Sequence, residues 1–121
     1  MRVTCLTLFL SVLGSPLIAG EADITDVSVK RAGDGTYRFS VTVRHADTGW
    51  EHYADAFEIV LPDGTVAGTR VLAHPHVDEQ PFTRSLGGVA VPAGTKEVVV
   101  RARDSEHGLG GREMRVELPE G

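Results

Sequence analysis

The sequence is nearly empty of cysteine. Its single cysteine, Cys5, lies inside an N-terminal apolar run. Once that run is removed, the chain can form no disulfide and offers no thiolate to a metal. Cys5 also stands too close to the start to be a lipid-attachment cysteine. No apolar run is long enough to cross a bilayer core of about 30 Å as a helix. There is no basic patch either: twelve Lys and Arg stand against seventeen Asp and Glu. An acidic chain of this kind argues against nucleic acid and against an anionic membrane surface as partners. Sustained helical periodicity, repeats, linkers and low-complexity tracts are all missing. Gly108, Gly110 and Gly111 do not make a phosphate loop, because no helix pattern follows them. Ser85 and Ser105 lack a nucleophile context, and no pair of carboxylates can be placed for acid–base work.

What is present begins with a leader. Arg2 supplies a positive start, residues 6–13 (LTLFLSVL) are apolar, and Gly14, Ser15 and Pro16 break the run. Small residues then lead into Glu21-Ala22-Asp23. This order predicts a secretory signal peptide over residues 1–20, cleaved between Ala19 and Ala22. The mature protein, residues 21–121, is then periplasmic or secreted and has no membrane span. It loses Arg2 with the leader, so eleven Lys and Arg remain against seventeen Asp and Glu, a net charge of −6. About a hundred residues make one domain with a modest core.

The mature sequence reads as short strands separated by turn chemistry. Tyr37, Phe39, Val41 and Val43 alternate with polar residues, as do Phe57, Ile59 and Leu61. Period two with one apolar face is a half-buried strand. Further strands are expected around Val27 and Val29, over 65–72, over 82–91 with a bulge at Gly87-Gly88, through Val98 to Ala102, and through Met114 to Leu118. Pro62-Asp63-Gly64 supplies a tight turn. Seven short strands with turns every eight to twelve residues predict an all-β, immunoglobulin-like antiparallel β-sandwich.

All five histidines belong to the mature chain: His45, His52, His74, His76 and His107. In such a sandwich alternate connections fall at alternate ends. The connections over 46–55, 73–81 and 104–111 then share one pole, and all five histidines cluster there. The other pole, with 32–35, 62–64 and 92–95, carries none. Imidazole is the commonest neutral ligand for first-row metals. In His74-Pro75-His76 an extended backbone points both rings the same way. His45 continues the inward parity of Phe39 to Val43, so its ring should tilt toward the sandwich axis. Asp47, Asp55, Asp78, Glu79 and Asp104 are near enough for ligation or supporting hydrogen bonds. Trp50 and Tyr53 are expected to plug the end of the core.

The stretch Glu51-His52-Tyr53, followed by Ala54-Asp55-Ala56-Phe57-Glu58-Ile59, resembles a strand entry in superoxide reductases, the desulfoferrodoxin iron domain. In that family a histidine slightly upstream and the histidine of Glu-His-Tyr bind iron, which the resemblance places on His45 and His52. Residues 104–109 (DSEHGL) are similar to that family's Cys-x-x-His-Gly-Leu. His107 falls on the histidine, and Asp104 stands where the thiolate would be. The resemblance covers about half the mature chain and implies the same sandwich fold. It implies a metal scaffold more than the reaction, since the cysteine ligand is missing. Residues 74–84 (HPHVDEQPFTR) also look like a stretch found in uncharacterised exported bacterial proteins. Residues 45–49 (HADTG) resemble a loop of the Z-type sulfur-oxidation carrier proteins.

The expected function is therefore an exported β-sandwich protein binding one divalent transition metal ion, copper, iron or zinc, through the histidine cluster. Two alternatives stand beside it. One is a superoxide-reductase-like redox enzyme with a non-heme iron site. The other is a metal-free module that docks a periplasmic protein partner. Whether the chain is an enzyme is left open by its sequence.

Overall fold

The computed structural model describes residues 21–120. The expected signal peptide, residues 1–20, and Gly121 lie outside the described residues. Seven strands follow in order: β1 (Asp23–Arg31), β2 (Tyr37–Arg44), β3 (Ala54–Val60), β4 (Val66–Val71), β5 (Phe82–Val89), β6 (Glu97–Asp104) and β7 (Met114–Glu117). They form two antiparallel sheets, β1-β2-β5 and β4-β3-β6-β7. This is the all-β immunoglobulin-like sandwich that the alternation predicts.

The core follows from the period of two. Phe39, Val41 and Val43 of β2 are fully buried, as are Phe57 and Ile59 of β3 and Val100 of β6. Each large side chain taken fully out of water contributes about 1.5–3 kcal/mol. β3 has a partner on each side and buries Ala54, Ala56 and Val60 as well. The expected bulge is present: between Tyr37↔Val89 and Phe39↔Leu86, β5 carries one residue more than β2. Gly88 takes the positive φ of 66° that this kink uses.

Alternate connections do fall at alternate ends. One pole holds 32–36, 61–65 and 90–96. The other holds 45–53, 72–81 and 105–113, and β1 starts there too. The Ile24 amide donates to the Arg112 carbonyl at 2.8 Å, and the Arg112 amide donates to Asp23 Oδ1 at 2.7 Å. Gly111 lies so close to the Ala22 carbonyl that a Cβ would collide with it. Backbone approach, rather than turn geometry, makes glycine necessary at that position.

Candidate metal centre

Four polar or charged side chains are buried among the described residues: His45, Asp47, His76 and Asp104. All four sit at the second pole. Buried charge is tolerated only when it is paired and hydrogen-bonded, so the partners of each matter.

Asp104 is the last residue of β6 and is completely buried. Its backbone closes a tight turn with Gly108, amide to carbonyl in both directions at 3.0 Å. That turn points the amides of Glu106 and His107 at Asp104 Oδ1, the former at 2.8 Å. One carboxylate oxygen is thereby fixed by the loop. The other, Oδ2, faces three imidazoles: His107 Nδ1 at 3.2 Å, His45 Nε2 at 3.4 Å and His52 Nε2 at 3.5 Å. Burial pushes the Asp104 carboxyl up. The two loop amides, the His107 ring and the His45 ring outweigh burial and hold the group below its ordinary value. The same contact to Asp104 holds the His107 imidazole above its ordinary value.

His45 follows β2 and keeps the inward parity of that strand, so its ring is buried as expected. Its Nδ1 lies 2.6 Å from Asp47 Oδ1. Asp47 is itself anchored, accepting the Ala54 amide on Oδ1 at 3.2 Å and the His76 amide on Oδ2 at 2.6 Å. A carboxylate so placed favours the tautomer with its proton on Nδ1 and turns Nε2 toward His52 and Asp104. His52 sits in the 45–53 connection, where its backbone pairs with Gly49. Its Nδ1 faces Glu106 Oε1 at 3.3 Å. Its Nε2 therefore also turns inward, 3.3 Å from His45 Nε2.

The result is a triangle of donor atoms, His45 Nε2, His52 Nε2 and Asp104 Oδ2, with sides of 3.3, 3.4 and 3.5 Å. Two imidazole nitrogens and a carboxylate oxygen converge there, an arrangement that a shared proton or a cation can hold together. Such a donor set could hold a first-row divalent ion. A second group, His52, Glu106 and His107, adjoins it on the exposed side.

His74 and His76 sit apart from both groups. Their rings are side by side, 4.6 Å between centroids, as an extended His-Pro-His predicts. His76 stacks on Phe82 at 3.9 Å, and its Nε2 accepts from Arg84 Nη2 at 3.0 Å. An arginine can only donate, so the His76 proton is on Nδ1. That buried atom has no hydrogen-bond partner. Burial, then the Arg84 charge, then His74 hold the His76 imidazole below its ordinary value. Its contribution to the His45 cluster is through the backbone: its amide orients Asp47, and its carbonyl accepts from Gln80, whose Oε1 accepts the His45 amide at 2.9 Å.

Two residues carry more of this geometry than the sequence reading gave them. Asp104 was expected as one of several nearby carboxylates and, by resemblance, at the place of a thiolate, while Glu106 was not singled out. The stretch Asp104-Ser105-Glu106-His107-Gly108 held the clue: an Asp before a glycine-closed turn accepts the turn's own amides. Trp50 departs from expectation. It does not plug the core but is 66% exposed, with its ring edge on Tyr53 at 5.5 Å.

No protein-family model matches the chain. Over 107 residues it is 42% identical to a protein of Halomicrobium mukohataei described as a "Putative lipoprotein", a match covering 88% of this chain. The chain spans about half the length of that relative, 52%. Its fold is similar to the crystal structure of hypothetical protein PH1083 from Pyrococcus horikoshii OT3. The TM-score is 0.54 at 19% identity, over 83% of this chain and 90% of that one. That likeness bears on the sandwich alone.

Proposed function

We propose that this chain is an exported protein that binds one divalent transition metal ion through His45, His52 and Asp104. The observation that carries this reading is the convergence of three donor atoms within 3.5 Å of one another. Each of the two imidazoles has a carboxylate behind it, Asp47 for His45 and Glu106 for His52. Such carboxylate–histidine–metal chains raise ligand basicity and fix ring orientation. Export is supported by the leader pattern of residues 1–20, by the look of residues 74–84 and by the description of the Halomicrobium relative. Calorimetry on purified residues 21–121 is expected to give near one-to-one binding of Zn(II), Cu(II), Fe(II) or Ni(II). Binding should weaken as pH falls, because the ligands must lose protons to bind a metal. Absence of binding for all four ions ends this reading.

A superoxide-reductase-like iron site is the second reading. His45, His52 and His107 lie together on the two connections that the resemblance assigns to iron ligands, and Asp104 occupies the thiolate's place. Anaerobic Fe(II) loading followed by a superoxide challenge tests it, and turnover no faster than free iron refutes it. The exposed Trp50 on the same pole suits the third reading, a docking face for a protein partner. A pull-down that survives complete metal removal but is lost in Trp50→Ala would favour that reading.

A further inference from the structure

The edge lengths of the donor triangle favour a tetrahedral over a square-planar or octahedral arrangement. In a tetrahedron two ligands are separated by about 1.63 times the metal–ligand bond, so bonds of about 2.0–2.2 Å place donors about 3.3–3.6 Å apart. Neighbouring ligands in square-planar or octahedral sites stand at about 1.41 times the bond, about 2.8–3.1 Å. The three sides here are 3.3, 3.4 and 3.5 Å, all in the first range. A point about 2.0–2.1 Å from all three atoms lies about 0.6 Å off their plane, close to the height expected for a tetrahedral ion above three of its ligands.

Among the described residues, no fourth side chain joins the set of His45, His52 and Asp104. His107 Nδ1 is 3.2 Å from Asp104 Oδ2, yet His107 does not belong to the converging set of His45, His52 and Asp104. His74 and His76 belong to neither group. The side chains of His45, Asp47 and Asp104 are sealed from solvent, so access is from the side of His52, Glu106 and His107. Glu106 and His107 flank that opening, with side chains 60% and 40% exposed. Together they offer an anionic acceptor and a donor to whatever binds there.

We infer that His45, His52 and Asp104 form a tetrahedral site of zinc type whose fourth position is open to an exchangeable water or small monodentate anion. This rests on the metal-binding reading above and adds the geometry, the metal class and an exogenous ligand. Three protein ligands plus one open position distinguish reactive zinc sites from purely structural ones. The same three edges disfavour the tetragonal environment that Cu(II) prefers.

Cobalt(II) substitution tests it, because tetrahedral Co(II) absorbs visible light far more strongly than six-coordinate Co(II). The mature protein loaded with one Co(II) should show an intense visible band that Zn(II) abolishes by displacement. Azide should shift that band saturably, and the band itself should persist in His107→Ala. Weak six-coordinate absorption by bound Co(II) overturns the geometry while leaving metal binding intact. An intense band that azide does not move, or that is lost in His107→Ala, overturns the open position, since His107 is then the fourth ligand. Failure of both Co(II) and Zn(II) to bind overturns the metal-binding reading itself, with this inference.

Discussion

The two poles of this sandwich are built on opposite rules. At the pole formed by 32–36, 61–65 and 90–96, each connection satisfies itself. Asp34 Oδ1 accepts the Thr36 amide at 3.0 Å, Asp63 Oδ1 accepts the Thr65 amide at 2.9 Å, and the Pro92 carbonyl accepts the Thr95 hydroxyl at 2.7 Å. Gly35, Gly64 and Gly94 complete these turns with φ near 90°. At the histidine pole the polar groups reach across the chain. His45 meets Gln80, Asp47 meets His76, Tyr53 meets Ser105, and Asp104 meets His45. Local turns need only short-range order. The histidine pole exists only when both sheets are assembled, and it concentrates all the buried polar side chains of the described residues. A fold does not bury carboxylates against imidazoles for stability alone, because desolvation offsets much of the attraction.

That contrast can be broken by mutation. Asp104→Asn should have the largest effect: more than about a 100-fold loss of metal affinity by calorimetry, exceeding what loss of a supporting group costs. The amide oxygen can still accept the Glu106 and His107 amides, so the circular dichroism spectrum should be retained. Unchanged affinity would remove Asp104 from the site. Asp47→Asn should weaken binding by about 10–100-fold, since the ligand remains but its orientation and basicity suffer. At the opposite pole, Gly64→Ala places a side chain at φ 92°. It should lower unfolding free energy by about 1 kcal/mol in urea melts, with metal affinity unchanged. A change in affinity there would show that the poles are coupled. His74→Ala should have the smallest effect, leaving metal affinity within experimental error. A clear loss would return the His-Pro-His pair to the ligand set.

A further measurement sharpens the comparison without mutation. A metal that binds only the folded state raises apparent stability, by about 2.7 kcal/mol at a hundredfold excess over Kd. Native-state hydrogen exchange should show this protection first at the amides of Ala54, Glu106 and His107, whose acceptors are Asp47 and Asp104.

The strands were legible because a period of two has one physical cause, a pleated backbone with one face in the core. The alternation from Tyr37 to Val43 and from Val98 to Ala102 places buried residues where the structure has them. The tight turns were legible for a similar reason: Asp63-Gly64 and the glycines act on neighbours two or three residues away. The pole that gathers the histidines was also within reach, because alternation of connections is a rule of topology.

What the sequence could not rank was the roles. It named all five histidines as ligands, and only a resemblance set His45, His52, His107 and Asp104 apart. Only the tertiary structure turned His76 to Arg84 and Phe82 and brought His45 and His52 to within 3.3 Å of each other. Only the tertiary structure aimed one oxygen of Asp104 between the rings. Secondary structure is written in neighbours, and a chain of this kind states it plainly. A metal centre is defined by distances of a few ångström between residues that here are separated by up to 59 positions. Those distances are set by how two sheets pack, and packing is a property of the whole chain.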